Sequence, residues 1–215
     1  MEKTYIIKKM TEDEITQGIV WENIEKADIA CFPWDQNGYR PKTEARAAYT
    51  EKGFHVFLIS YEQEIIATRE NMNDMVCRDS CMEFFFNPDP EHDGRYMNFE
   101  LNPLGTLYLG IGKDRYDGKK IMETSPELFQ IRTSVSRESL KSYSGPFWSI
   151  QFFIPFDFIE SRYGKLDFKS GMKMTGNFYK CADDMAYPHY GCWNEVIYKE
   201  PDFHRSECFG SLILE

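Results

Sequence analysis

The sequence has no long apolar run, and this absence narrows the classes of protein that it can encode. Nowhere in its 215 residues is there a stretch of the ~18 apolar residues that a transmembrane helix requires. The opening segment, MEKTYIIKKMTEDEI, also lacks the apolar core of an export signal. We therefore expect a cytoplasmic protein without a membrane partner, or an extracellular one if a leader precedes this sequence.

Basic residues are scarce relative to acidic ones. The chain has 25 Lys and Arg against 35 Asp and Glu, which gives a formal net charge of −10. Nucleic acids and anionic membranes are bound by surfaces rich in Lys and Arg. The charge therefore predicts no nucleic-acid partner, and it leaves a neutral ligand such as a sugar open.

Several motifs of catalysis and metal binding are also missing. There is no Walker loop, nucleophile elbow, H-E-x-x-H or haem-attaching C-x-x-C-H. No C-x2-C pair occurs among the Cys and His residues near the end of the chain, which disfavours structural zinc. These residues are Cys181, His189, Cys192, His204 and Cys208. Without an export signal, we expect the six cysteines to be free thiols.

Short strand-like segments, in contrast, are frequent. Aromatic residues make up 16% of the chain, and Phe and Tyr favour strands. Runs such as FHVFLISY are separated by Gly, Pro, Asn and Asp, a pattern typical of an all-β sandwich or barrel. FHVFLISY and EIIATRE flank a short turn and predict a hairpin. Helices are expected only in TEDEITQGIVWENIEKA and FDFIESRYG, while KTEARAAYTEKG is compatible with helix or strand.

Alternation within these strands separates a core face from a polar face. In RYMNFELN, Met97, Phe99 and Leu101 point one way, and the opposite face is polar but not charged enough to be a simple solvated surface. The same pattern in other strands predicts a core that includes Phe54, Val56, Leu58, Phe84, Phe86, Phe99, Leu107, Leu109, Trp148, Phe152 and Ile154.

The polar faces combine carboxylates, amides and aromatic rings. Carboxylates and amides suit sugar hydroxyls, which both donate and accept hydrogen bonds, and aromatic rings suit the C–H faces of a pyranose. The loop CADDMAYPHYGCWNEV adds Tyr187, His189, Tyr190 and Trp193 in a setting that normally favours small polar residues. Two interpretations remain open: a sugar-binding platform, or rings that pack beneath their own loop.

Four segments in order resemble the carbohydrate-binding family 9-like proteins, from roughly Tyr49 to the C-terminus. They are RDSCMEFFFNPD, YMNFELNPLGTLYLGIG, FWSIQFFIPFDFI, and GNFYKCADDMAYPHYGCWNEV with PDFHRSECFGSLIL. The resemblance implies an all-β fold, a two-sheet antiparallel β-sandwich with short peripheral helices. It also implies one domain over residues 1–215, with residues 1–48 packed on it as an N-terminal segment.

The resemblance further implies a sugar site in which two Trp rings clamp the ligand and polar side chains bind its hydroxyls. Matched by position, the ligand-binding residues are Glu83, Glu100, Asn102, Gln151, Asn177, Tyr190 and Trp193, and no catalytic residue is assigned. Cys77 or a neighbour occupies the place of the second Trp, so Tyr187, Tyr190 or Trp34 would have to replace that ring. Calcium, with a structural role, is the cofactor that the resemblance implies.

These observations predict a carbohydrate-binding protein that recognises a mono- or oligosaccharide and works beside a glycoside hydrolase system. Two alternatives stay open. Glu83 and Glu100 lie on neighbouring predicted strands and suit a glycoside-processing enzyme, since glycosidases use two carboxylates. The chain also suits a non-catalytic interaction or structural protein with a degenerate sugar site.

Overall fold

The computed structural model describes residues 2–215, and strands dominate it. The strands are β1 (Thr4–Lys9), β2 (Ala27–Asp28), β3 (Lys42–Tyr49), β4 (Gly53–Tyr61), β5 (Cys81–Asn87), β6 (Tyr96–Leu101), β7 (Leu107–Gly112), β8 (Lys119–Lys120), β9 (Arg132–Thr133), β10 (Trp148–Pro155), β11 (Lys173–Ala182), β12 (His189–Cys192) and β13 (Gly210–Leu214). The helices are α1 (Glu12–Gln17), α2 (Arg137–Leu140) and α3 (Phe156–Tyr163).

The helices are short and peripheral, as expected. Thr11 caps α1 through its side chain, and Glu14 completes the capping box. The predicted helix after Pro155 is confirmed as α3. Within residues 2–215, no helix combines the length and the apolar composition that crossing a membrane would require.

The strands form a curled sheet in the order β8-β7-β6-β5-β11-β13-β1-β3-β4-β10-β9, with β2 paired to β3 and β12 paired to β11. The two halves of this sheet pack face to face around an aromatic core. Phe99 of β6 stacks on Phe152 of β10 at 5.8 Å between ring centroids, and Phe54 meets Phe86 edge to face at 5.9 Å. Every residue that strand alternation placed in the core is buried there, so this prediction is confirmed.

The expectation of a purely antiparallel arrangement is wrong at β1. The first four residues of β1 pair in parallel with β13, and its last two, Lys8 and Lys9, pair in parallel with β3. β1 thereby links the two halves of the sheet. Without β1, each half would end in a strand edge with unpaired backbone groups. Residues 1–48 are consequently more than a segment packed on the outside, since β1, β2 and most of β3 are strands of the sheet itself.

The predicted hairpin of residues 54–61 and 64–70 is also wrong. KTEARAAY, which was open between helix and strand, forms β3 and pairs with β4 on one side, while β10 pairs with β4 on the other. Residues 64–70 therefore find no free strand edge. Side chains hold this segment instead: the Asp79 carboxylate accepts hydrogen bonds from the backbone of Thr68 and Arg69, and Ser80 Oγ accepts one from Ile66.

A buried polar cluster closes one end of the core. Lys180 on the inner face of β11 has a fully buried side chain and lies 3.2 Å from the Glu62 carboxylate. Its ammonium also donates to His189 Nε2 at 2.8 Å, while Trp148 Nε1 donates to Glu62 Oε2 at 2.7 Å. Burial, and then the nearby Lys180 charge, lower the pKa of His189 to about 3, so its ring is neutral and accepts from the ammonium.

Candidate functional site

A cavity of about 420 Å³ opens on the outer face of β5, β6, β7 and β11. Side chains alternate across these strands, so the residues next to those of the core point into it. Its floor consists of Glu83, Phe85, Asn98, Glu100, Tyr108, Gly110 and Cys181. Its walls come from β8, β12 and the connecting segments around the floor, which contribute Met75, Cys77, Arg115, Gly118, Lys119, Asp183, Tyr190 and residues 201–204. We call this space the polar cavity; its volume lies in the lower part of the range of small-molecule sites.

Two carboxyl groups lie side by side on the floor. Glu83 of β5 and Glu100 of β6 are directly opposite each other in the strand pairing, and both are buried. Asn98 Nδ2 donates to Glu100 Oε1 at 2.8 Å, and the Cys181 thiol donates to Glu83 Oε1 at 3.1 Å. Each carboxyl therefore keeps oxygen capacity for a ligand that enters the cavity.

Burial controls the charge of this pair. Loss of water raises the pKa of Glu100 to about 7, and the charge of Asp183 adds to the rise. Burial, followed by repulsion from Glu100, raises the pKa of Glu83 well above its ordinary value. Near neutral pH the pair thus holds at least part of one proton, so it both donates and accepts hydrogen bonds.

Gly110 makes room for the amide that holds Glu100. A Cβ atom at this position would lie 2.5 Å from Asn98 Oδ1 and 3.1 Å from Asn98 Nδ2. Any residue other than glycine at position 110 would therefore push Asn98 away from Glu100. The sequence signal for this contact is only a glycine within a strand, which indicates a close approach of neighbouring groups.

Aromatic and charged side chains surround the floor. Tyr108, Tyr190 and Phe203 supply ring surface, and Arg115 and Lys119 are exposed. Tyr96 and His204 share a hydrogen bond of 2.8 Å at the back of the cavity. Burial lowers the pKa of His204 to about 4, so it is neutral near pH 7.

Three of the residues predicted from the sequence line the polar cavity: Glu83, Glu100 and Tyr190. Trp193 does not. Its side chain is only 4% exposed, and its ring packs edge to face against Tyr5 and Phe178 at centroid distances of 6.2 and 6.0 Å. Of the two interpretations left open for this ring, the structure has the packed one, because β13 offers it a closed site over Gly210, whose added Cβ would lie 2.6 Å from the ring.

The amides predicted for the site lie elsewhere. Asn177 is fully buried and bonds to the backbone of Asn194, donating to its carbonyl and accepting from its N–H. Asn102 is buried in the turn after β6, where it donates to the Asp79 carboxylate and accepts from two backbone amides. Both side chains use their hydrogen-bonding capacity within the protein, so neither is placed to bind a sugar in the polar cavity.

Gln151 lies on the other half of the sheet. It lines a second cavity of about 340 Å³ with Trp21, His55 and Arg132, and it accepts a 3.4 Å hydrogen bond from Trp21 Nε1. We call this the second cavity. Strand order separates it from the polar cavity, because β10 and β6 belong to opposite halves of the sheet.

The aromatic residues considered as replacements for the missing Trp also lie in different places. Cys77 lines the polar cavity at the position where the resemblance expected that ring. Trp34 stands behind the cavity wall, 5.9 Å from the ring of Phe203, and Tyr187 stacks on Tyr39 at 6.0 Å. Of the four aromatic side chains in the loop that follows β11, only Tyr190 lines the polar cavity.

Several cavity residues escaped the sequence analysis. Asn98 shares the outward face of β6 with Glu100, and this alternation was the available signal. Tyr108 follows the same rule on β7. Arg115, Asp202 and Phe203 come from loops, whose positions depend on tertiary packing and have no periodic signal.

The described part of the chain offers no cluster of acidic side chains for calcium. Within residues 2–215, the one group of three closely spaced acidic, Cys or His ligands is Cys81, Glu83 and Cys181. Calcium binds six to eight oxygen atoms, and thiols are poor ligands for it. The calcium implied by the resemblance therefore has no cluster of acidic side chains here to hold it.

Taken together, the structure is a curled β-sandwich that carries a cavity with a polar floor and aromatic walls. The sequence profile of carbohydrate-binding family 9 matches residues 13–214, and the chain belongs to this family. The match begins well before Tyr49, in agreement with the strands that residues 1–48 contribute to the sheet. None of the curated protein sequences matches this chain.

Solved structures share the fold. A candidate carbohydrate-binding protein from Bacteroides uniformis ATCC 8492 superposes with a TM-score of 0.84 at 24% identity, covering 100% of both chains. A family 9 module from Caldicellulosiruptor kristjanssonii in complex with glucose has a TM-score of 0.66 at 9% identity, covering 99% of this chain and 96% of that one. Its complex with cellotriose gives 0.65 at 9% identity, with 99% and 94% covered.

Proposed function

We propose that the polar cavity binds a mono- or oligosaccharide. The observation that carries this proposal is the convergence of the carboxyl pair with Tyr108 and Tyr190 in one cavity. Carboxyl and amide groups match sugar hydroxyls, and the Tyr rings match pyranose C–H faces. The family assignment supports the same ligand class, as does the binding of glucose and cellotriose by the Caldicellulosiruptor module.

The position of the carboxyl pair favours binding over hydrolysis. Carboxylates of glycosidases flank the bond that they cleave. Glu83 and Glu100 instead project from adjacent strands of one sheet, so they contact a bound sugar from the same side. We accordingly assign no catalytic residue.

Calorimetric titration tests the proposal, with glucose and cellotriose first and then the hits of a glycan array. Glu100→Gln and Tyr190→Ala should each weaken binding by about 1–3 kcal/mol, because a hydroxyl partner or a stacking surface is lost. Gln151→Ala in the second cavity is the matched control and should leave the affinity unchanged. Absence of binding across the array, or equal affinities in all variants, would overturn the assignment. Turnover of a chromogenic glycoside that Glu83→Gln abolishes would establish the enzyme instead.

A further inference from the structure

Three buried side chains at the edge of the polar cavity have the composition of a soft-metal site. Cys81 of β5 and Cys181 of β11 are directly opposite each other in the strand pairing. One ligand atom from each, together with a carboxylate oxygen of Glu83, lie within 4.8 Å of one another. The Cys181 sulfur is 3.1 Å from Glu83 Oε1.

These atoms lie close enough together to hold one tetrahedral ion after small shifts of the side chains. Zinc binds sulfur at about 2.3 Å and carboxylate oxygen at about 2.0–2.2 Å, so its ligand atoms lie roughly 3.5–3.8 Å apart. All three ligand residues are at most 2% exposed, yet Glu83 and Cys181 line the polar cavity, which gives an ion a path to them. Cys77 also lines the cavity and precedes Cys81 by four positions, a C-x3-C spacing within the range of zinc ligand pairs.

The electrostatics of the floor support a cation. Glu83 and Glu100 face each other with no buried cationic side chain lining the cavity beside them, since Arg115 and Lys119 are both exposed. A divalent cation held between the two thiols and Glu83 would compensate the charge of the Glu83 carboxylate in its ionised form.

We infer that Cys81, Cys181 and Glu83 form a binding site for a thiophilic divalent cation of the Zn²⁺ class, with a fourth position open toward the polar cavity. Binding replaces protons by metal–ligand bonds: each thiol releases one proton to solvent and the Glu83 carboxyl releases the proton that it holds. No electron is transferred. The inference does not depend on sugar binding, because all three metal-binding side chains lie together in the sugar-free protein.

Titration of the reduced, sugar-free protein with CdCl2 under anaerobic conditions tests this site. The expected result is one equivalent bound with a sulfur-to-cadmium charge-transfer absorption in the ultraviolet, and release of two to three protons in a weakly buffered solution. Cys81→Ser and Cys181→Ser should each lower the affinity at least 100-fold and reduce the absorption. Glu83→Gln should keep the absorption while it removes the carboxyl's share of the released protons.

The matched control is the double variant Cys31→Ser/Cys208→Ser, which removes two half-buried thiols outside the cluster. It should titrate like the unmodified protein. Near-ultraviolet circular dichroism of each variant establishes that it folds, and Glu83→Gln tests the site with both thiols present. No charge-transfer absorption in the unmodified protein, or an absorption that survives both Cys81→Ser and Cys181→Ser, would overturn the inference. So would its loss in the control.

Discussion

Glu83 and Glu100 face each other across two neighbouring strands at the floor of the polar cavity, and burial raises the pKa of both carboxyls. Such a pair is costly to ionise, since neither carboxyl has a buried cationic partner. The absence of a buried cation makes the ionised pair unfavourable for folding, while a proton kept by the pair lets it donate a hydrogen bond to a ligand. Because pH changes the protonation of the pair, stability measured at two pH values isolates the cost for folding.

Replacing Glu100 should make the protein more stable at neutral pH. A carboxyl whose pKa rises from 4.5 to about 7 on folding favours the folded state only below its unfolded pKa, and this contribution is lost as pH rises from about 4.5 to 7. Glu100→Gln removes that loss, a difference of roughly 3 kcal/mol at pH 8. Urea unfolding of both proteins at pH 4 and pH 8 measures it.

The stability of Glu100→Gln has to be compared with that of the unmodified protein at each pH, because buried histidines change stability with pH in the opposite direction. The lowered pKa values of His189 and His204 mean that stability is lost as pH falls from about 6.5 through their folded values of about 3 and 4. These contributions are common to both proteins and cancel in the difference. An equal difference at pH 4 and pH 8 would contradict the role assigned to Glu100.

Trp193→Ala should destabilise the protein without changing ligand affinity. The ring is a core residue, and truncation of a buried Trp costs about 3–5 kcal/mol. Thermal unfolding together with calorimetric titration of the same sample measures both effects. A small loss of stability accompanied by weaker glycan binding would contradict this prediction and indicate that Trp193 contacts the sugar.

Gly110→Ala should weaken ligand binding more than it weakens folding. The added methyl group displaces Asn98, and Glu100 then loses its amide donor. A loss of about 1–3 kcal/mol in binding is expected, because Glu100 loses its amide partner and its position in the cavity. Gly94→Ala is the control, because its Cβ would meet no atom within 4 Å. Equal affinities for the two variants would contradict the contact.

Lys180→Met should be strongly destabilising, whereas its combination with Glu62→Gln should be milder. The single change leaves the buried Glu62 carboxylate without its cation, at a cost of about 3–5 kcal/mol. The double change removes both charges and keeps an acceptor for Trp148 Nε1. A double-mutant cycle in urea yields the coupling, and a double variant as unstable as the sum of the two single variants would contradict the pairing.

Strand alternation predicted the parts of this protein that repeat. It assigned Phe84 and Phe99 to the core and placed Glu83 and Glu100 on the opposite face, and the structure has both arrangements. Strand alternation did not predict features that depend on one tertiary contact. Whether Trp193 lies over Gly210 or faces solvent depends on the pairing of β13, which is distant in sequence, and no local pattern encodes it.

Position-by-position transfer from the family met the same limit. Asn177 lies in β11 and Asn102 in the turn after β6, yet each uses its side-chain hydrogen-bonding capacity on groups of the protein itself. An amide in a sequence looks the same whether it holds a turn or awaits a ligand. The distinction rests on hydrogen-bond partners, which only the folded structure supplies.

The pairing of β1 with β13 has a consequence for the order in which this chain acquires its structure. Tyr5 lies beside Leu212, so β1 cannot complete its pairing until β13, far along the chain, has been synthesised. Contacts so far apart in sequence slow folding, because closing the intervening loop costs entropy before any pairing repays it. Until β13 is made, the edge of β11 that receives it stays open and is exposed to aggregation.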